Sequence, residues 1–402
     1  MSEVAQAPHS SPDGHSPQLR FPEFSGNWEE VPFYDCLNDI LDFRGRTPLK
    51  IGMDWGGGNI ISLSANNVKN GYIDFNAECH LGSGELYEKW MGKVKLVKND
   101  IVFTMEAPLG KALLVPDDKR YILSQRVVAF KTKDYIDNLY FIQLIWSNKF
   151  QNTVDRLSTG STAKGINQKS LKKVFVNIPL KPEQQKIAAF LTVVDTKIEQ
   201  LSKKKALLGE YKKGLMQQIF SQAIRFKADD GSDFPDWIEK KLGDVSIRGA
   251  SNISANQLED NNGGYKIYGA AGHLKNIDFY TEEDCYVAIV KDGAGAGRIM
   301  LLEAKTSVLG TLAIIKAKQG NDINFLYWLI QTINFRKYVV GSTIPHIYYR
   351  DYQAENLRIP SLSEQTKIAN FLSSIDTKIK QVGKQLNESK QFKKALLQQM
   401  FV

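Results

Sequence analysis

Apolar residues return at helical spacing along two long stretches of the chain. From Ile187 they step by four and three through Leu191, Val194, Ile198 and Leu201, then fall on Leu208, Leu215 and Ile219. This heptad seam predicts a helix from Glu183 to Phe220, about 57 Å long at ~1.5 Å per residue. A second seam runs through Ile368, Leu372, Ile375, Ile379, Val382, Leu386, Leu396 and Met400. Pro182 suits a first helical turn, and Ser361 with Glu364 forms an S-x-x-E capping box at nearly the same phase. A lone amphipathic helix is marginal in water, so each seam calls for a partner. Lys205 and Lys212 fall on seam positions, where lysine costs stability and fixes register. The wider lysine runs read as a solvated face, or as a surface for phosphate or a partner protein.

Elsewhere the pattern changes to short β-rich runs, "KLVKNDIVFTM", "YILSQRVVAFK", "CYVAIVKD" and "TLAIIKAK", separated by Gly, Asn and Asp turns. Helical patches follow at "DNLYFIQLIW" and "INFLYWLIQTI". Each region reads as a mixed α+β head, strands first and a helix last.

The two long helices are copies. "IPLKPEQQKIAAFL" begins at Ile178 and "IPSLSEQTKIANFL" at Ile359, and this offset of 181 holds without a gap to Phe220 and Phe401. It reaches back to "GST" at Gly160 and Gly341. At the front edge, "FPEFSGNWEE" from Phe21 is echoed by "FPDWIEKKLGD" from Phe234, with Trp28 matching Trp237 at an offset of 209. The difference of 28 makes the first copy longer in its middle. Fixed ends around divergent middles predict one scaffold presenting two different surfaces. The expected fold class is α+β: two mixed heads joined by two long antiparallel repeat helices in a coiled coil, with pseudo-two-fold symmetry. The expected organisation is a disordered tail (1–19), a first head (20–177), a central helix (178–220), a linker (221–235), a second head (236–358) and a C-terminal helix (359–402).

The 402 residues, 43% hydrophobic and 24% charged, suit a globular chain of two or three domains. A net charge of +8 and a pI near 9.0 point to an acidic partner, nucleic acid first and an anionic membrane face second. With no N-terminal apolar segment and no run of ~18 apolar residues, a cytoplasmic location is expected. Cys36, Cys79 and Cys285 are widely spaced and read as reduced thiols; Cys79 beside His80 lacks the spacing of zinc ligands, so no metal site is expected. "DGAGAG" at Asp292 lacks the spacing of a nucleotide loop, and no catalytic cluster stands out, so no catalytic residue is expected.

Three loops carry the candidate chemistry, each set against a match in the other head. "DFRGRTPLK" (Arg44, Arg46, Thr47) is set against "GGYKIYGAAGHLK" (Lys266, Tyr268, His273, Lys275). "EAPLGKAL" with Gly110 and Lys111 is set against "KDGAGAGRIML" with Gly297 and Arg298. "STGSTAKGINQ" (Ser161, Thr162, Lys164, Asn167) is set against "VGSTIPHIYYR" (Ser342, Thr343, His346, Tyr348, Arg350). Amides and hydroxyls position on phosphate, while Arg, Lys, Asn and His reach base edges. For any one of these residues an ordinary turn or surface charge is an equally good reading; their recurrence in both heads favours DNA binding.

The paired helix blocks, the "DTKI" that follows each, the "KKxLxQQxF" endings and the "GST" loops resemble the specificity subunit of Type I restriction-modification systems, over essentially the whole chain after the tail. The resemblance implies two target recognition domains, the first head reading the 5′ half of a bipartite double-stranded DNA site and the second head the other half, with the helices setting the spacer. It implies two methylation subunits carrying S-adenosylmethionine chemistry on adenine, and restriction subunits using ATP and Mg for cleavage. It implies no cofactor in this chain. Against it stand a coiled-coil scaffold without a nucleic-acid role, and a stand-alone DNA-modifying enzyme.

Overall fold

The computed structural model describes residues 16–259 and 263–402. The chain divides into two units, Met1–Ser202 with Gln385–Val402, and Lys203–Lys384. Each unit holds one head and a segment of both long helices.

In the first unit, strand Val127–Thr132 pairs antiparallel with Leu37–Asp42 on one side and Ile101–Thr104 on the other, and Ile101–Thr104 pairs with Ala112–Leu114. Strand side chains alternate between faces, and here both faces are covered. Ile101, Phe103, Val128 and Phe130 enter a core with Phe33, Phe141 and Phe150, while Val102, Val127 and Ala129 enter a second core with Leu63, Trp90 and Leu123. That double burial is why "IVF" and "VVAF" show no polar alternation. Helix Asn138–Trp146 contributes Phe141 to the first core; Asp137 caps it, accepting from Tyr140 N at 3.0 Å. A small sheet of Leu81–Gly82, Ile60–Leu63 and Tyr121–Leu123 bounds the second, its last two strands parallel.

The second unit repeats the plan. Leu312–Ala317 lies between Ser246–Ala250 and Tyr286–Val290, which pairs with Ile299–Leu302. Val287, Ile289 and Ile315 face a core with Phe325 and Trp328, and Ala288, Val290, Leu312 and Ile314 face another. Tyr265–Gly269 pairs antiparallel with Gly272–Ile277 and parallel with Ser307–Val308. Asp322 caps helix Ile323–Ile330.

This pairing corrects one of the loop matches. Residues 44–47 follow strand Leu37–Asp42, whose counterpart in the sheet order is Ser246–Ala250, so their equivalent begins near Ser251. "GGYKIYGAAGHLK" is instead the hairpin Tyr265–Gly269 and Gly272–Ile277, which holds the place of Ile60–Leu63 and Leu81–Gly82. The two loops share a composition, but the heads differ by 28 residues in their middles and the sheets put the loops in different places.

The heptad pattern becomes helices Lys181–Phe220 and Leu362–Gln399. In the first unit Ile187, Leu191, Leu201, Leu386, Leu396 and Met400 are buried, with Val194 and Ile198 half-buried; in the second Ile219, Ile368, Leu372, Ile375 and Val382 are buried, with Ile379 half-buried. The capping box at Ser361 forms only by half. Ser361 Oγ accepts from Glu364 N at 3.4 Å, but the Glu364 carboxylate takes Arg225 at 2.9 Å and Trp237 Nε1 at 3.1 Å instead of reaching back. Glu183 is held likewise by Arg20 at 2.8 Å and Trp28 Nε1 at 3.2 Å. Both glutamates are buried, so a charge-assisted clasp fixes each helix start to the segment that opens its own head. Of the N-terminal segment 1–19, residues 16–19 are described, and Leu19 N donates to Gln399 O at 3.0 Å. Among the described residues no helix is long and apolar enough to cross a membrane.

Candidate nucleic-acid interface

In each unit two loops are zipped together by backbone hydrogen bonds. In the first, residues 105–111 leave strand Ile101–Thr104 and meet residues 159–167: Ala107 N donates to Lys164 O at 3.2 Å and Ile166 N to Met105 O at 2.8 Å. In the second, Gly293 N donates to Pro345 O at 2.8 Å and Ile347 N to Lys291 O at 2.9 Å. Pro345 and Ile347 stand 181 positions after Lys164 and Ile166, so these are the same bonds made twice. Thr159 and Gly165 exchange backbone bonds of 2.8 and 2.9 Å, as Val340 and His346 do at 2.8 Å each way. Gly160 and Gly341 make the turn, with φ of +95° and +88° and a Cβ that would stand 2.5 Å from Ala163 O or 2.6 Å from Ile344 O. That is the physical reason for the repeated "GST".

The side chains on this frame differ. In the first unit Ser161 and Thr162 are exposed, Lys164 Nζ reaches Asp155 at 2.7 Å, and Asn167 Oδ1 caps helix Gln168–Leu171 through Ser170 N at 2.8 Å. Lys111 N bonds Thr104 Oγ1 at 2.8 Å, which places Lys111 at the base of its hairpin. Arg44 lies near the end of the second loop, because its partner Asp42 (Nε to Oδ1, 2.9 Å) also accepts from Gln168 at 2.7 Å. Burial pushes the Asp42 carboxyl up, but the bonds from Arg44 and Gln168 outweigh it and hold it below its ordinary value; the Asp42 bond in turn raises Arg44. Arg46 and Thr47 line a cavity of about 450 Å³ with Trp55, His80, Gln125 and Arg126, and Arg46 donates to Trp90 O at 2.8 Å.

In the second unit Ser342 and Thr343 are exposed. His346 Nδ1 lies 2.7 Å from Asp292 Oδ1, its ring is stacked with Tyr348 at 6.3 Å and 17°, and the Arg350 guanidinium sits 5.0 Å over the Tyr348 ring. Arg298 Nη1 donates to Ala270 O at 2.7 Å, which ties the turn of the hairpin to this frame. The other hairpin candidates bond locally. Lys266 pairs with Glu303, Tyr268 donates to Glu303 at 3.4 Å, His273 lies 3.0 Å from Asn276 Oδ1, and Lys275 donates to Leu258 O and Glu259 O at 2.9 Å.

One exposed cation escaped the sequence reading. Arg126 sits at a φ of +67° in the turn before Val127–Thr132, and its carbonyl accepts from Met105 N at 2.8 Å, so it stands beside the first frame. A single arginine in a turn makes no pattern, and its backbone angle is invisible in sequence. Among the described residues no group of three or more His, Cys, Asp or Glu side chains is placed to hold a metal ion.

The sequence profile of the Type I restriction modification DNA specificity domain matches residues 27–209 and 235–390, one copy for each loop pair. The chain belongs to this family. It is similar to the type I restriction enzyme MjaVIII specificity subunit of Methanocaldococcus jannaschii, 26% identical over 427 residues, covering 94% of this chain and 92% of that one. The MjaIX specificity subunit of the same organism is 22% identical over 396 residues and 90% of each chain. The crystal structure of the Type I restriction-modification S subunit from M. genitalium shares the fold, with a TM-score of 0.63 at 18% identity over 96% of this chain and 99% of that one. The duplicated specificity domain accounts for the 181-residue offset between the two long helices.

Proposed function

We propose that this specificity-family chain is the DNA-reading subunit of a Type I restriction-modification complex and catalyses nothing itself. Each head reads one half of a bipartite target in double-stranded DNA, and the paired helices set the spacing between the halves. Methylation subunits supply S-adenosylmethionine chemistry on adenine, and restriction subunits supply cleavage driven by ATP with Mg. The observation that carries this reading is the loop frame built twice from the same backbone bonds yet furnished with different side chains. A frame fixed by main chain and varied by side chain is what two different sequence readers on one scaffold require. Antiparallel pairing of the helices is supported inside each unit. Trp28 touches both Glu183 and Phe401 while Asp195 meets Lys393, so residue numbers rise along one helix as they fall along the other. In the second unit Trp237 touches Glu364 and Phe220 while Asp376 meets Lys212.

The test is adenine methylation mapping across the genome of a methylation-deficient host. Cells given this chain with a Type I methylation subunit are compared with cells given either alone. A two-part motif with a fixed gap, present only with both, is the expected result; its absence with several compatible methylation subunits would sink the proposal. Inserting one heptad after Leu201 should lengthen the gap and leave both half-sites unchanged.

A further inference from the structure

We infer that His346 is a base-reading residue of the second head, aimed by Asp292 and Tyr348, and that the first head has no reader at the matching position. This rests on the DNA-recognition reading above and goes beyond it to one side chain and its mode of contact.

The argument begins with what the fold does not need. At the place 181 positions earlier stands Gly165, and the loop there makes the same backbone bonds as the loop around His346. An imidazole is therefore not required to build this turn. The counterpart of Asp292 is Glu106, which forms the same bridge with Gly165 that Asp292 forms with His346. In the first head the carboxylate faces a glycine, and in the second it holds a ring.

The hold is directional. A carboxylate accepts only, so Asp292 Oδ1 at 2.7 Å takes the Nδ1 proton of His346 and leaves Nε2 as the one ring atom able to reach outward. Among the described residues nothing hydrogen-bonds Nε2, and the side chain is 37% exposed. Stacking with Tyr348 restrains ring rotation, and Arg350 lies over that tyrosine, so three planar groups are ordered before any ligand arrives. Ring and aromatic stand on the loop that carries Ser342 and Thr343, whose hydroxyls suit phosphate, and the guanidinium on the short helix Tyr349–Tyr352 that follows it. The complement of a preset imidazole nitrogen is a base edge in the major groove: an exocyclic amino group if Nε2 accepts, or guanine O6 or N7 if it donates. In this assignment Asp292 is a positioning residue, acting through His346 rather than touching DNA.

The experiment uses the full chain assembled with its methylation subunits, methylating a library in which both half-sites and their flanks are randomised. For His346→Ala, discrimination at one base pair of one half should fall by at least about fivefold, with the other half and the gap unchanged. Asp292→Asn should relax that same base pair and no other. His346→Gln, which keeps a polar tip, should restore part of the discrimination. Unchanged discrimination in both His346→Ala and Asp292→Asn overturns the inference. So does an even loss across both halves or a loss of assembly in all three variants, which would assign the histidine to folding. A wild-type chain that yields no bipartite motif at all overturns the recognition reading itself, and is distinguished from those outcomes by that control.

Discussion

Lys393 Nζ lies 2.6 Å from an Asp195 carboxylate oxygen and 4.4 Å from the centre of the Trp146 ring. The second unit makes the same arrangement, with Lys212 Nζ 2.8 Å from Asp376 and 5.2 Å from the Trp328 ring. Lys212 and Lys393 are one repeat apart, as are Asp195 and Asp376, so helix, partner helix and head meet at the same triad twice. Burial draws the Lys393 ammonium below its ordinary value, and Asp195 opposes that pull. Removing one member strands a poorly solvated charge, so Asp195→Ala should cost about 1–3 kcal/mol. The double variant with Lys393→Met should cost much less than the two single losses combined. A double-mutant cycle by urea unfolding checks this, and additive losses would deny the coupling.

The helix-start clasps give a larger effect. Glu364 is fully buried against Arg225 and Trp237, so Arg225→Ala leaves its carboxylate with the indole alone of the two donors that hold it. Destabilisation of about 3 kcal/mol is expected, with Glu364→Gln milder because it keeps an acceptor for Trp237. Arg20→Ala should match it in the first unit, where Glu183 is held the same way. Thermal unfolding of the two arginine variants side by side tests the equivalence.

Gly341→Ala places a Cβ against Ile344 O at a positive φ. A cost of about 1–3 kcal/mol is expected, concentrated in the loop that carries His346. In the assembled complex this variant should weaken methylation through the second half-site, and Gly160→Ala through the first. Methylation of single-half target variants distinguishes them; equal damage to both halves from either glycine would contradict the assignment.

Acid should loosen the first head through Asp42. Its folded pKa lies below the ordinary 3.8, so the stability it contributes is present above that value and drains as pH falls through the depressed one. Asp42→Asn should therefore lower the urea midpoint at about pH 6, and the gap from the parent chain should narrow by about pH 3. A gap of constant size would mean that the Arg44 and Gln168 bonds do not depend on the charge.

Much of the architecture was legible because it is periodic. The seam from Ile187 to Ile219 and its copy depend on local spacing, and "GST" depends on a glycine that the turn cannot replace. Sequence matches loop 106–113 to 291–301 and loop 158–168 to 340–350 across the two heads, and the folded chain bonds the two loops of each head together. What escaped depends on pairing across long separations. Glu364 looked like a capping residue because Ser361 is three positions before it, whereas its true partner, Arg225, is 139 positions away. The hairpin at Tyr265 looked like the mate of Arg44 because composition says nothing about which strand of a sheet a loop follows.

The loop frame also bears on how such a chain acquires new targets. The bonds that hold it, from Gly293 N to Pro345 O and from Ile347 N to Lys291 O, run from amide to carbonyl and are blind to the side chains they carry. Substitution at the outward positions therefore leaves the hinge of the reader intact. On the proposed reading, a point change at an outward position such as His346 alters what the head recognises, while the fold rests elsewhere, on the two glycines and the buried clasps.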